Sequence, residues 1–241
     1  MKFYKGVDYF TDCLSVTILP HFHLTQKPSC MLHFIKFKKF YGNFPALTID
    51  DFIIEPGIYW IKGVNGSGKS TLLKSIAGIL AFDGDIVLDG NISIKKQPVA
   101  YRRLVNFAEA EPLFPEFLTG MEMVKLFASA KDAPAGQEQQ FIQSMKMQSY
   151  IDRPIGTYSS GMLKKLSLVL AFLGNPKLIL LDEPLITIDT ESLKILYKWI
   201  RDQHRDNGVS FMLSSHQALD VDEHLGAGEL LVDAQTLQFT R

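Results

Sequence analysis

The nine residues Gly63-Val64-Asn65-Gly66-Ser67-Gly68-Lys69-Ser70-Thr71 fit the pattern GxxxxGK[ST]. That pattern serves phosphate binding. Its glycines let the main chain fold round an anion with N–H groups inward, where a Cβ would obstruct. Lys69 brings a positive charge to β- and γ-phosphates, and Ser70 offers a hydroxyl to Mg2+. Chance alone produces the fixed positions in roughly one chain of this length in a hundred. The plainer reading is a Gly-rich turn between a strand and a helix. Further along, Leu178-Ile179-Leu180-Leu181-Asp182-Glu183 is an apolar run closed by two acids. In an open parallel sheet, ligands bind beyond the carboxyl ends of strands. Asp182 would then reach Mg2+ directly or through water, and Glu183 would face an attacking water as base or polariser. Taken alone, the same pair reads equally well as surface acids capping a strand.

These residues need elements to hold them. Tyr59 to Lys62 reads as a strand feeding the phosphate loop, and Thr71 to Ala77 as a helix whose N-terminus favours an anion. Upstream, Leu32, Phe34, Ile35 and Phe37 read as one strand, and 46–53 contains another around Leu47-Thr48-Ile49. Glu55-Pro56-Gly57 and Phe82-Asp83-Gly84-Asp85 read as turns, and Ile86 to Gly90 as part of a short hairpin. Met123, Leu126 and Phe127 recur at helical spacing, as do Phe141, Ile142 and Met145, with a polar linker from Asp132 to Gln140. Ser192 to Gln203 reads as an amphipathic helix and Val209 to Leu213 as a buried strand. The fold class is α/β: a P-loop NTPase core of mostly parallel sheet with flanking helices, an antiparallel β subdomain, and a helical insert at about 112–165. The insert is either a docking element or a pair of core helices.

The chain of 241 residues is long enough for one large, well-buried domain. A net charge of −1 gives no nucleic-acid footprint, so no nucleic acid is expected as a partner. Cys13 and Cys30 form neither a metal-ligand pattern nor a disulfide framework, as in a cytoplasmic protein. Leu166 to Leu173 is too short to span a bilayer and suits a buried helix. Residues 1–30 lack clean periodicity and read as an N-terminal extension, or as the product of a start codon upstream of Met31.

From residue 32 to about 233 the chain resembles the ATP-binding cassette (ABC) ATPases, the nucleotide-binding subunits of ABC transporters. Gly63–Thr71 matches their Walker A and Leu178–Asp182 their Walker B. Tyr158-Ser159-Ser160-Gly161-Met162 stands at the LSGGQ signature, Asp189 at the D-loop, His216 at the switch histidine, and Tyr41 at the aromatic that stacks on adenine. The resemblance implies ATP and Mg2+ as ligands and a homodimer with a second ABC subunit. Tyr41 and Asn65, Gly66, Ser67, Gly68, Lys69, Ser70 and Thr71 would hold nucleotide, and Ser70 and Asp182 the metal. Glu183, His216 and Lys69 would be catalytic, while Ser159, Ser160, Gly161 and Met162 would grip the γ-phosphate held by the other subunit. Integral membrane permease subunits would complete a transporter, with this chain peripheral at the inner face of the cell membrane. Each assignment has an ordinary counterpart: a core aromatic for Tyr41, an N-cap for Ser159–Gly161, a structural histidine for His216. The signature keeps its serine and final glycine but replaces the leucine, first glycine and glutamine. Ala110 stands where the family has the Q-loop glutamine, with Glu109 and Glu111 beside it. Two other readings share these motifs: a soluble ABC ATPase serving a cytosolic assembly complex, and a non-hydrolysing nucleotide-binding subunit.

Overall fold

The computed structural model describes residues 31–215 and 225–240. Residues 1–30 and His216 therefore lie outside the described residues. Two sheets form the framework. The first is antiparallel, with strand order β2-β1-β4-β5, built from β1 (Leu32–Tyr41), β2 (Phe44–Ile54), β4 (Asp83–Leu88) and β5 (Ile92–Ser93). Gly42-Asn43 closes the β1/β2 hairpin, with Gly42 at φ 59° as a two-residue turn requires. The second sheet has the order β10-β9-β3-β8-β7-β6 and contains β3 (Ile58–Lys62), β6 (Val105–Ala108), β7 (Leu178–Leu181), β8 (Ser210–Ser214), β9 (Gly228–Asp233) and β10 (Thr236–Phe239). Its pairs are parallel except β9 with β10.

The helices are α1 (Lys69–Ile76), α2 (Pro98–Leu104), α3 (Gly120–Ala130), α4 (Gln137–Ser144), α5 (Ser160–Ala171) and α6 (Thr190–Asn207). Strand periodicity divides the core. Leu178, Leu180 and Met212 join a cluster with Leu72, Leu73 and Ile76 of α1 and the inner face of the antiparallel sheet. Ile179, Leu181, Phe211 and Leu213 join a second cluster with α3 to α6. Alternate residues of β7 and β8 thus bury both sheet faces, which explains why these strands are apolar throughout. The helical segment shares this second core. Met123, Val124, Phe141, Ile142 and Met145 all pack there. Thr119 starts α3 with a capping box: its side chain accepts from the Glu122 N–H, and the Glu122 carboxylate accepts from the Thr119 N–H.

Several elements differ from the sequence expectations. Leu126 is 57% exposed, and Val124 takes the inward place expected of it. The linker is shorter than expected because α4 begins at Gln137. Asp83-Gly84-Asp85 is not a free turn but the start of β4. The pairing of β1 with β4 shifts register between Ile35 and Lys38, and Gly84 sits opposite that irregularity at φ 84°. A Cβ there would lie 2.2 Å from the Lys36 carbonyl oxygen and 2.5 Å from that of Ile35. Only glycine meets both the dihedral and the close approach. The Gly84→Ala substitution should therefore destabilise the fold by about 2–3 kcal/mol. Denaturant unfolding measures this, and an unchanged midpoint would contradict the bulge.

Candidate functional site

Parallel strands bring distant segments to one edge. The order β3-β8-β7 sets β8 between the strand that feeds the phosphate loop and the strand that leads into Asp182. Ile61 of β3 pairs with Ser214, and Leu181 of β7 with Leu213. Three strand ends therefore converge. Across that junction the Ser70 hydroxyl donates to Asp182 Oδ1 at 3.1 Å, and the Ser214 hydroxyl donates to the same oxygen at 2.6 Å. Ser214 Oγ also accepts from the Glu183 N–H at 2.9 Å. Both acids are buried. Glu183 has φ 44°, a left-handed conformation uncommon outside glycine, and it follows Asp182 directly.

The phosphate loop encloses a cavity of about 210 Å3 lined by Asn65, Gly66, Gly68, Lys69, Ser70 and Thr71. Ser67 is the one predicted loop residue outside this lining. Its N–H donates to the Val64 carbonyl at 3.1 Å, and its hydroxyl lies only 2.5 Å from where a Cβ on Gly63 would stand. Gly63, at φ 150°, must be glycine because a Cβ there would also lie 2.5 Å from the main-chain oxygen of Val232, which cannot move aside. Gly68 caps α1 in a left-handed conformation with no side-chain cap, which leaves the helix N-terminus open toward the cavity. Lys69 is buried, and its ammonium donates to the carbonyls of Gly63 at 2.9 Å and Val64 at 3.1 Å. Burial pushes the Lys69 pKa down, opposed by Glu183 and Asp182 nearby. Tyr41, at the end of β1, is 51% exposed, with its hydroxyl 3.4 Å from Thr71 Oγ1. The core-aromatic reading of Tyr41 is thereby removed; the ring lies at the surface beside the loop, with the Lys39 ammonium 4.9 Å from its centroid.

The second group lies apart. Ser159 caps α5, its hydroxyl accepting from the Met162 N–H at 3.3 Å, and Ser159 and Ser160 are exposed. Gly161 lies against the Thr187 carbonyl, 3.2 Å from its would-be Cβ. Among the described residues, no hydrogen bond or ion pair joins Ser159–Met162 to the phosphate loop of the same chain. Asp189 caps α6 through the Ser192 N–H at 2.9 Å and pairs with Lys165 of α5 at 2.8 Å. The Lys165 hydrogen bond, then that of the Ser192 amide, holds its carboxyl well below the usual carboxylate range. At the start of the connector after β6, Glu109 pairs with Lys74 of α1, while the Ala110 carbonyl accepts from Lys164. Neither Ala110 nor the paired Glu109 presents an amide side chain at that position.

Two residues of this site were not singled out from the sequence. Ser214 ends a buried strand and precedes His216, where attention fell on the imidazole. Lys164 carries no local signal in the sequence, and only the packing of α5 on the sheet buries it.

The donor set suits a hard cation. A serine hydroxyl and a carboxylate oxygen meet at the mouth of a cavity lined by helix-terminal amides and a lysine, as Mg2+ bound through phosphate oxygens requires. Among the described residues, no cluster of three or more His, Cys, Asp or Glu is placed to hold a metal by itself. A metal here would depend on phosphate oxygens to complete its shell.

The ABC transporter family matches residues 50–186. Over 169 residues the chain is 34% identical to ATP-binding cassette sub-family A member 7 of Mus musculus, an alignment that covers 68% of this chain and 8% of that protein. Over 194 residues it is 31% identical to the cytochrome c biogenesis ATP-binding export protein CcmA of Legionella pneumophila, covering 80% of this chain and 96% of that protein. The chain thus spans a small part of the mouse protein and nearly all of the bacterial one. Among solved structures, the ATP binding subunit of an ABC transporter superposes with a TM-score of 0.77 at 22% identity, covering 87% of this chain and 90% of that one. This last likeness is one of fold.

Ser214→Ala tests the junction. It removes a donor to Asp182 and leaves the buried Glu183 N–H without its acceptor, a loss of about 1–3 kcal/mol. Urea unfolding should register that loss, and wild-type stability would contradict the bonding described.

Proposed function

The chain belongs to the ABC transporter ATP-binding family, and from that premise we propose that it binds and hydrolyses ATP as one subunit of a dimer that drives separate membrane subunits. The observation that carries the reading is the 3.1 Å bond between Ser70 and Asp182, residues 112 positions apart, at the mouth of the phosphate-loop cavity. A Gly-rich turn with unrelated surface acids would have no reason to bring that hydroxyl to that carboxylate.

In this reading Lys69 exchanges its two carbonyl acceptors for β- and γ-phosphate oxygens, and its charge is sustained by Asp182 and Glu183. Tyr41 lies against the adenine face. Ser70 and Asp182 would hold Mg2+, which when bound would offset negative charge on the phosphoryl oxygens. Glu183 orients the attacking water and accepts its proton as the water oxygen bonds to the γ-phosphorus and the bond to the β-phosphate oxygen breaks, giving ADP and phosphate. His216, outside the described residues, would contact the γ-phosphate or transmit its presence. Ser159–Met162 act in trans on nucleotide held by a second copy. The exposure of Ser159 and Ser160 supports this, as does their lack of a bond to the phosphate loop of their own chain. Loss of the γ-phosphate then releases the two halves.

No helix among the described residues is long and apolar enough to cross a membrane. Membrane subunits would dock beside the helical segment at about 107–150. A cavity of about 260 Å3 there is lined by Ile79, Phe107, Leu113, Phe114 and Phe127, with Leu113 91% exposed. The chain would then be peripheral at the inner face of the membrane.

Two variants test the proposal on the purified full chain. Glu183→Gln should lower the turnover of MgATP by about 100-fold or more while ATP still binds. Undiminished turnover would remove Glu183 from the chemistry. Lys69→Ala should abolish ATP binding measured by calorimetry, and wild-type affinity would refute the phosphate-loop assignment.

A further inference from the structure

Lys164 is 0% exposed, on the second turn of α5. Lysine is almost never fully buried without compensation. Here its ammonium donates to three main-chain carbonyls: Glu109 at 3.1 Å, Ala110 at 3.2 Å and Asp182 at 3.0 Å. Those acceptors match its three N–H donors in number, and charge makes each bond stronger than a neutral one. The acceptors come from two segments. Glu109 and Ala110 open the connector from β6 to the helical segment, and Asp182 is the residue whose carboxylate meets Ser70. Asp182 is therefore gripped at both ends. Lys164 holds its main chain, and the hydroxyls of Ser70 and Ser214 hold its side chain.

A plain packing role would not need a cation in this place. On the same side of α5 as Lys164, one and two turns on, Leu168 and Ala171 are buried and apolar, with the buried Ser167 beside them. Burying the Lys164 ammonium costs desolvation, which the three carbonyl bonds offset. The adjacent lysine makes a second strut: Lys165 reaches Asp189 at the start of α6. Successive residues on a helix point about 100° apart, so this pair of lysines faces two different elements. Helix α5, whose cap and first turn are the Ser159–Met162 segment, is thus bonded directly to the residue that follows β7.

We propose that Lys164 is a positioning residue for the metal end of the nucleotide site, setting the Asp182 carboxylate against Ser70 through the Asp182 main chain and tying that setting to α5 and the 109–110 connector. This inference rests on the ATP-binding reading above. It assigns Lys164 no contact with nucleotide. Its one bond to the nucleotide site is to the Asp182 main chain, so it should touch the part of ATP affinity that Mg2+ supplies and spare the part that the phosphate loop supplies.

The experiment measures ATP affinity by calorimetry with and without Mg2+, using the full chain and the variants Lys164→Met and Lys164→Gln. Circular dichroism and thermal unfolding establish which variants fold. In a folded variant the Mg2+-free affinity should stay within about threefold of wild type. The gain in affinity on adding Mg2+ should fall by about 10–100-fold, the usual cost of losing a partner that orients a metal ligand. An undiminished Mg2+ gain in a folded variant would overturn the proposal. So would equal loss of both affinities, or failure of both variants to fold, since either makes Lys164 merely structural. If wild type binds no ATP at all, it is the ATP-binding reading that fails, a result distinct from each of these.

Discussion

A carboxylate taken out of water must be held by hydrogen bonds, and everything at this site depends on how Asp182 is held. Its Oδ1 accepts from Ser70 and Ser214, and its main-chain oxygen accepts from Lys164. These partners come from the helix after β3, the end of β8 and the second turn of α5. No local stretch of chain could assemble them. The parallel sheet does so by placing the carboxyl ends of β3, β8 and β7 side by side, with apolar residues filling both faces beneath. The stability of that sheet and the geometry of the site are therefore one problem. The same strands that bury Ile179, Leu181, Phe211 and Leu213 fix where Ser214 and Asp182 emerge.

Charge at the site is balanced in the same way. Lys69 and Lys164 are both buried, and burial lowers the pKa of each, Lys164 to about 8. Asp182 and Glu183 oppose that shift in both cases. Two cations and two carboxylates thus form a compact group in which each sign supports the other. Lys69 spends its hydrogen bonds on loop carbonyls that a phosphate can replace, whereas Lys164 spends its own on carbonyls that tie together three segments of the fold.

Much of this was legible in the sequence, for identifiable reasons. The phosphate loop is a local motif, so Lys69 and Ser70 could be read from spacing alone. Leu178–Leu181 is apolar without alternation, which marks a strand buried on both faces and puts Asp182 at a carboxyl end. What escaped depends on partners far along the chain. Gly84 looked like a turn residue, because its opposition to Lys36 comes from a register shift that composition does not encode. Leu126 fitted the helical period as well as Val124, and only tertiary packing chose between them. The helix α2, the strand β6 and the C-terminal pair β9 and β10 passed unread, being short or lacking a periodic signal. Ser214 and Lys164 carry ordinary residue types in ordinary places, and their roles exist only once β8 and α5 are docked.

The most direct measurement is a crystal structure of the full chain with Mg2+ and a non-hydrolysable ATP analogue. The account predicts β- and γ-phosphates inside the cavity lined by Asn65, Gly66, Gly68, Lys69, Ser70 and Thr71, Lys69 turned from its loop carbonyls to phosphate oxygens, and Mg2+ held by Ser70 and Asp182. An analogue bound elsewhere, with the Ser70–Asp182 and Lys69–Gly63 bonds intact, would contradict it.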